Sequence, residues 1–172
     1  MLPPGSDAPV LPTFDRLVAE YGGLIARISQ SYEADAALRE DLRQQILLAI
    51  WQSLPNFRGE ASLKTFVARI AQNRAISFVA KQVRQPKGST LPEDLEAADP
   101  NPEQAAIAAN RREMLVAATR RLPLPQREII VLILEGFSYG EIGEMLDINP
   151  NALALRLSRA KAALTKMLEP AR

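Results

Sequence analysis

Apolar residues in the N-terminal half of the chain recur three or four positions apart, which is the spacing of amphipathic helices. Thr13 is placed to cap a first helix that carries apolar side chains as far as Ile28. Gly22-Gly23 falls inside this pattern and is expected to weaken the helix or break it in two.

Two further helices are predicted in the same half. One runs from about Ala36 to Leu54, stops before Pro55, and includes the apolar positions Leu38, Leu42, Ile46, Leu47, Ile50 and Trp51. After the loop PNFRGEAS, Ser62 can cap the other, which spans Leu63 to about Val83. From residue 61 to residue 84 the chain has no acidic residue, but it has the cations Lys64, Arg69, Arg74, Lys81 and Arg84. These cations repel one another unless something anionic lies nearby, although a solvated basic face is the alternative interpretation.

The C-terminal half shows the same periodicity. A helix is predicted from about Pro102 to Arg121, and the sequence LPLP breaks it. Pro125 suits the first position of the next helix, QREIIVLILE, which ends at Gly136.

A short helix, a tight turn and a longer helix follow. Ser138 and Glu141 fit an S-x-x-E capping box, residues 147–149 form the turn, and Asn149 with Pro150 suits the start of the last helix. The last helix is predicted to bury Leu153, Leu157, Ala160, Leu164 and Leu168. Its charges are all positive, namely Arg156, Arg159, Lys161 and Lys166. The pattern predicts a helix-turn-helix whose second helix enters the DNA major groove, and an ordinary helical hairpin with a positive surface is the alternative.

The segment from about Gln85 to Pro102 has four prolines and no apolar periodicity. We therefore expect an all-α protein with two small helical domains, residues 13–84 and 103–172, joined by a flexible acidic linker, residues 85–102, and preceded by a disordered N-terminus, residues 1–12. Residues 1–85 carry ten basic and eight acidic groups, and residues 106–172 carry ten and seven. Both halves are therefore net basic and flank an acidic linker, and this uneven distribution of charge suggests a polyanionic partner. The linker would let the domains close on each other or on an inhibitor, which would hide their basic faces.

Composition narrows the chemistry. The chain has no cysteine and no histidine, so thiol chemistry, the usual general base and the commonest transition-metal ligand are absent. No motif of paired carboxylates, phosphate-binding glycines or a nucleophile elbow appears, and neither a cofactor nor a metal is predicted. We expect a protein that is not an enzyme. The start of the chain lacks the pattern of a signal peptide and the longest apolar run is six residues, so a cytoplasmic protein without membrane insertion is the default.

Two segments resemble a known family. The stretch from LPLPQREII to LSRAKAAL, with the landmarks LP-x-x-x-R, EGFSYGEI and RLSRAK, resembles the −35-reading domain of bacterial sigma-70-type factors. The stretch from REDLRQQ to NRAISFV, with DLRQQ, W-x-x-L-x-x-FRG and FVARIAQNRA, resembles the −10-reading domain of the extracytoplasmic-function (ECF) group. Both lie in the family's order and together cover about residues 14–168.

The resemblance implies partners and site residues. The partners would be core RNA polymerase, promoter DNA and, in some family members, an anti-sigma factor. The helix with Asp41, Gln44 and Gln45 is similar to the surface that binds polymerase, although an acidic residue often stands where Gln45 is. For −10 DNA the resemblance implies Asn56, Phe57, Arg58, Lys64, Arg69, Asn73, Arg74 and Lys81. For −35 DNA it implies Ser138, Tyr139, Asn151, Leu155, Arg156, Ser158, Arg159 and Lys161.

Besides Gln45, three positions depart from the family pattern. Ser77 stands where many relatives have Asp, and Ala154 and Leu155 stand where relatives commonly have polar or basic residues. Leu155 could instead touch a thymine methyl group or a protein. Beside the sigma factor, two alternatives therefore stay open: a helix-turn-helix regulator that binds DNA without polymerase, and a sigma-like adaptor in a protein–protein signalling switch.

Overall fold

The structure is a computed structural model of the chain, and it describes residues 11–85 and 102–169. The predicted tail up to residue 10 and the predicted flexible linker over residues 86–101 lie outside the described residues. All regular elements within the described ranges are helical, as the periodicity predicted.

The N-terminal helices are α1 (Phe14–Tyr32), α2 (Ala36–Ser53) and α3 (Leu63–Val83), with a short 3₁₀ turn, Leu54–Asn56, after α2. Both α1 and α2 pack on α3 around a core of fully buried side chains that includes Leu17, Ile25, Ile28, Leu42, Ile46 and Val67. The Gly22-Gly23 pair does not break α1, which is continuous. Each glycine costs a helix about 1 kcal/mol relative to alanine, and the burial of Leu24 and Ile25 directly after the pair offsets that cost.

Side-chain caps fix where these helices begin. Thr13 and Ser62 accept hydrogen bonds from backbone N–H groups at 3.4 and 3.1 Å, as their positions predicted. Asp35 caps α2 in the same way at 2.9 Å, which the periodicity alone did not indicate. A cap of this kind stabilises a helix by about 1 kcal/mol.

The C-terminal helices are α4 (Pro102–Arg120), α5 (Leu124–Leu134), α6 (Tyr139–Leu146) and α7 (Pro150–Leu168). Helix α5 begins at Leu124, so Pro125 takes its second position rather than the predicted first. Its residues 129–132 are all buried, and α7 packs against both α5 and α4. Gly136 ends α5 with a φ of 85°, while the N–H groups of Gly136 and Phe137 donate to Ile133 and Leu132. This is a Schellman motif, which needs the left-handed backbone that glycine adopts without strain.

The turn between α6 and α7 has two special backbone positions. Asp147 adopts φ 51° and ψ 50°, the left-handed conformation expected of a tight turn. Gly143 lies so close to the turn that an added Cβ would stand 3.2 Å from the carbonyl oxygen of Ile148. Together these positions let α7 turn back sharply onto α6 and α5.

The two groups of helices are docked on each other. Helix α1 contacts α4, and α3 contacts α5, so the buried side chains of both halves form one connected cluster. No local pattern in the sequence predicts where the two halves lie relative to each other.

The strain at Asp147 gives a test of the turn. Asp147→Gly removes the Cβ that disfavours positive φ, so the free energy of unfolding should stay unchanged or rise slightly. Asp147→Val places a β-branched residue in the same conformation and should lower the free energy of unfolding by about 1–2 kcal/mol. Urea denaturation followed by circular dichroism measures both. Equal losses for glycine and valine would contradict the proposed backbone constraint.

Candidate nucleic-acid interface

Four of the residues predicted to contact −10 DNA lie together on the solvent side of α3. Arg69, Asn73, Arg74 and Lys81 are exposed, and none of these three cations makes a salt bridge in the described part of the chain. Lys64 differs, because its side chain is half-buried and its ammonium group donates to the backbone carbonyl of Glu135 at 2.6 Å. The docked halves therefore leave the α3 cations in solvent, and the expectation that closure hides the basic faces is wrong for these residues.

The loop before α3 and the first turns of α3 enclose a recess of about 330 Å³. Its lining includes Asn56, Phe57 and Arg58 from the loop together with Arg69 and Asn73 from the helix. The Phe57 ring packs on Phe66 with 4.9 Å between ring centroids, which anchors the loop to α3. The structure thus brings together residues that the sequence could only place on separate elements. The recess offers an aromatic edge, amides, guanidinium groups and the single carboxylate of Glu60 to a ligand.

The start of the helix-turn-helix is fixed by reciprocal hydrogen bonds. The Glu141 N–H donates to the Ser138 hydroxyl at 3.2 Å, and the Ser138 N–H donates to the Glu141 carboxylate at 2.7 Å. These bonds lower the pKa of Glu141 from its ordinary value, because the backbone N–H of Ser138 stabilises the charged form. The Asn149 side chain accepts from the Ala152 N–H at 2.8 Å and begins α7 where predicted. Both predicted caps are confirmed.

The outward face of α7 carries most of the residues predicted for −35 DNA. Asn151, Leu155, Ser158, Arg159 and Lys161 are exposed, and Tyr139 at the start of α6 is 53% exposed. Arg156 is half-buried, and it lies close enough to Glu128 to oppose the rise in pKa that burial causes in that carboxyl group. A broad groove between α6 and α7, about 990 Å³ in volume, separates Tyr139 from Ser158 and Lys161 and is lined mainly by apolar side chains. The face is therefore cationic along α7, whereas Glu144 and Asp147 line the α6 side of the groove, and the apolar side chain of Leu155 is 52% exposed between the polar residues of α7.

The residues predicted to bind polymerase lie on one stripe of α2. Asp41, Gln44 and Gln45 are exposed, and the stripe continues one and two turns later through Leu48 and Trp51. Gln44 donates to Glu40 at 2.8 Å, and Arg43 forms a bidentate pair with the same carboxylate. These hydrogen bonds, that of Arg43 first, lower the pKa of Glu40 to about 2.

Sequence periodicity grouped Trp51 and Leu38 with the apolar side of α2, but the structure exposes them by 58% and 40%. The buried stripe is Leu42, Ile46, Ala49 and Ile50, and a residue one position after Ile50 points away from it. Leu48 is also 54% exposed. Leu48 and Trp51 are both offset from the buried stripe, and this offset is the sequence signal of their exposure once the stripe is known.

Other kinds of site have little support among the described residues. The ranges 11–85 and 102–169 contain no cluster of carboxylates able to hold a metal ion. Within those ranges no helix has the length and apolar character to cross a membrane.

The two docked halves thus carry a basic face on α3 and a helix-turn-helix on α6–α7. This combination is typical of a nucleic-acid-binding protein with two contact regions. The family model described as Sigma-70 region 2 matches residues 17–85, and that described as Sigma-70, region 4 matches residues 112–164. The chain is 29% identical over 166 residues to the ECF RNA polymerase sigma factor SigE of Mycolicibacterium smegmatis, an alignment that covers 94% of this chain and 64% of the relative. It is 27% identical over 167 residues to the ECF RNA polymerase sigma-E factor of Escherichia coli, with 91% and 87% coverage.

Solved structures share the fold. The structure of RpoE with the anti-sigma factor NepR from Bartonella quintana superimposes with a TM-score of 0.70 at 22% identity and covers 92% of this chain and 98% of that one. The structure of CnrH with the cytosolic domain of CnrY gives a TM-score of 0.63, also at 22% identity, and covers 90% and 86%. The chain belongs to the sigma-70 family of bacterial transcription-initiation factors, in its ECF group. This confirms the family that the sequence motifs indicated.

The exposed face of α7 predicts two different mutational effects. Arg159 stands on the outward face, where an arginine can be bidentate to guanine O6 and N7, so Arg159→Ala should cost about 1–3 kcal/mol and relax preference at one −35 position. Lys161 lies at the edge, so Lys161→Ala should weaken all sequences alike and lower the salt slope by about one. Salt-titrated binding to −35 duplex variants measures both. If Arg159→Ala weakened every duplex equally, Arg159 would not read a base.

Proposed function

We propose that this chain directs promoter-specific initiation by binding core RNA polymerase through α2, the −10 element through α3 and its preceding loop, and the −35 element through α6–α7. The single observation that supports this best is the pairing of an acid-free basic face on α3 with a capped helix-turn-helix in one chain. A regulator that binds only duplex DNA needs a helix-turn-helix but does not need an acid-free basic face on a separate helix. The chemistry of RNA synthesis belongs to the polymerase, so the chain itself needs no active site and works where polymerase works, in the cytoplasm.

The polymerase contact is proposed for the outer stripe of α2. Asp41, Gln44 and Gln45 supply hydrogen-bonding groups, and Leu48 and Trp51 add apolar area at the other end of the stripe. Interfaces of this kind draw most of their binding energy from a few large side chains, with tryptophan over-represented. We therefore assign Trp51 as the anchor and the polar residues as the group that sets orientation.

The −10 contact is proposed for the recess and the cations that continue from it. Reading a base in a single strand requires a pocket for the extruded base and a cationic track for the backbone. The recess around Phe57 supplies the pocket, while Arg69, Arg74 and Lys81 supply the track.

The −35 contact is proposed for the outward face of α7 with the start of α6. Asn151, Ser158 and Arg159 can hydrogen-bond to base edges, whereas Leu155 offers only apolar contact, which suits a thymine methyl group. Ser138, Tyr139, Arg156 and Lys161 flank this face and are assigned to phosphates.

The exposed apolar centre of the helix-turn-helix favours one second candidate. An adaptor that binds a regulatory protein would use Leu155 and the groove beside it in place of DNA contacts. One structural relative, RpoE, is in complex with the anti-sigma factor NepR, and another, CnrH, is in complex with the cytosolic domain of CnrY, so we also propose an anti-sigma protein as a partner of this chain. Run-off transcription with purified core polymerase and a genomic library separates the two functions, because only a sigma factor yields promoter-specific transcripts. Absence of any transcript, together with no binding to duplex DNA at low salt, would favour the adaptor.

The α2 assignment predicts a loss of polymerase affinity without loss of fold. Trp51→Ala should weaken core polymerase binding by about 2 kcal/mol or more, and Asp41→Ala with Gln44→Ala should weaken it by a smaller amount. Because all three side chains are exposed, the melting temperature should change little. Titration of labelled protein with core polymerase measures affinity. Glu103→Ala with Gln104→Ala provides the matched control on exposed positions of α4. If the α2 variants bind as tightly as this control, the assignment is wrong.

The α3 assignment predicts a defect in strand opening. Arg74→Ala with Lys81→Ala should reduce open-complex formation several-fold more than it reduces initial promoter binding, because the single strand forms only on opening. Permanganate footprinting reports opened thymines, and a gel-shift assay reports initial binding. A variant with the wild-type footprint would contradict a role for these cations in opening.

A further inference from the structure

The outward face of α7 has one large apolar side chain among polar ones. Leu155 is 52% exposed, and it points away from Leu153 and Leu157, which are buried on the opposite side of the helix. Its neighbours one turn before and after it on the same face are polar and exposed, namely Asn151, Ser158 and Arg159. An exposed leucine is ordinary by itself. Leu155, however, stands in the middle of the face that we assign to base edges, where a side chain meets the DNA directly.

The core of the protein does not use this leucine. Helix α7 packs on α4 and α5 through a buried stripe of Leu153, Leu157, Ala160 and Leu164. Leu155 is neither in this stripe nor among the partly buried side chains that pack against the core. Its substitution should therefore change the stability of the fold little. The side chain is available to a ligand of α7.

A leucine side chain can distinguish base edges in only one way. It has no hydrogen-bond donor or acceptor, whereas guanine, cytosine and adenine show hydrogen-bonding groups and no methyl group in the major groove. Thymine adds an apolar group, its C5-methyl. A polar edge that is buried against leucine loses its water without gaining a hydrogen bond, which disfavours that base. Leucine therefore favours a pyrimidine that carries a methyl group at C5.

Two other pyrimidines separate the methyl group from the rest of the base. Uracil has the hydrogen-bonding groups of thymine but lacks the C5-methyl, and 5-methylcytosine has the hydrogen-bonding groups of cytosine but carries that methyl. A side chain that contacts only the methyl group responds to its presence and not to the group at C4. Leucine therefore treats 5-methylcytosine like thymine, and uracil like cytosine.

We propose that Leu155 reads the C5-methyl group of one pyrimidine in the −35 element, and that it accepts thymine or 5-methylcytosine there while disfavouring unmethylated cytosine. The inference rests on the proposed function, because it places the outward face of α7 in the major groove of that element. Asn151, Ser158 and Arg159 hold the helix in register by hydrogen bonds, so that Leu155 meets a single base pair. Methylation of a cytosine at this position then strengthens binding of the chain to its promoter.

Base substitutions that add or remove only this methyl group test the proposal. The full chain with core polymerase is titrated onto a promoter duplex obtained by the run-off transcription described above. Each thymine of the −35 element, on either strand, is replaced in turn by uracil, and each cytosine by 5-methylcytosine. At one pyrimidine position the methylated base should bind about fourfold more tightly than its unmethylated counterpart, which corresponds to the burial of one methyl group. At a thymine that responds, a cytosine–guanine pair with and without the methyl group should show the same ratio.

Variants of the protein assign the effect to Leu155. Leu155→Ala removes the outer carbons of the side chain and should bind the methylated and unmethylated duplexes equally, whereas Leu155→Met keeps an apolar side chain of similar reach and should retain the preference. Leu134→Ala is the matched control, because Leu134 is 46% exposed on α5 and lines a different recess, beside Arg27 and Gln30. This control should keep the full preference. Circular dichroism confirms that each variant is folded.

The possible failures can be told apart. If promoter complexes form but no pyrimidine of the −35 element responds to the methyl group, Leu155 does not read a base. If a response persists unchanged in Leu155→Ala, another side chain reads the methyl group, and the assignment to Leu155 is wrong. If Leu155→Ala leaves every duplex bound as tightly as before but loses affinity for an anti-sigma protein, the exposed leucine serves a protein partner. Absence of any promoter-specific complex would overturn the proposed function, and this inference with it.

Discussion

The packing of α5 joins the two halves of the chain, because this helix contacts α4, α6 and α7 in its own half and α3 in the other. This helix is short, but its residues 129–132 are buried, and α7 lies against it so that the outward face of the recognition helix is set by α5. The end of α5 also receives Lys64, and its middle receives Gln72. One apolar helix therefore supports the −35 face directly and fixes where the −10 face stands in the docked chain. A cavity in α5 would disturb the proposed −35 face first, because α3 packs mainly on α1 and α2.

The positive and negative charges of the chain are distributed unevenly between its helices. The net charge is only +1, yet the outer side of α3 and all of α7 carry cations without acids. Several carboxylates are paired or act as caps: Glu135 pairs with Arg27, Glu40 pairs with Arg43, and Glu141 caps α6. Glu60 lines the recess before α3, and Glu144 and Asp147 line the α6 side of the groove, so acids stand beside both faces but not within helix α3 or α7. Acidic side chains within either helix would pair with its cations and weaken the attraction for phosphate. The distribution thus keeps attraction for a polyanion in a chain that is almost neutral.

Much of the fold was predictable from local pattern, because its helices are delimited by chemistry that the sequence shows. Ser62, Ser138 and Asn149 are caps within hydrogen-bonding distance of their own helices, and Gly136 with Asp147 marks turns that require left-handed backbone. The exposed positions on α7 could also be predicted, because its apolar residues recur with the 3.6-residue period of a helix and define the opposite face. The site was less predictable. Trp51 looks like a core residue in the sequence, and only the register of α2 against α1 and α3 shows that it points outward.

The docking of the halves could not be predicted, since it joins residues such as Arg27 and Glu135 that are 108 positions apart and have no local signature. It also sets how the two proposed nucleic-acid faces stand relative to each other in the docked state. Double electron–electron resonance measures that state most directly, since the chain has no cysteine and two introduced labels are unique. With labels on Ala19→Cys and Thr165→Cys, the free chain should give one narrow distance below about 40 Å. A broad distribution of long distances in the free chain would contradict the docked arrangement of the two halves.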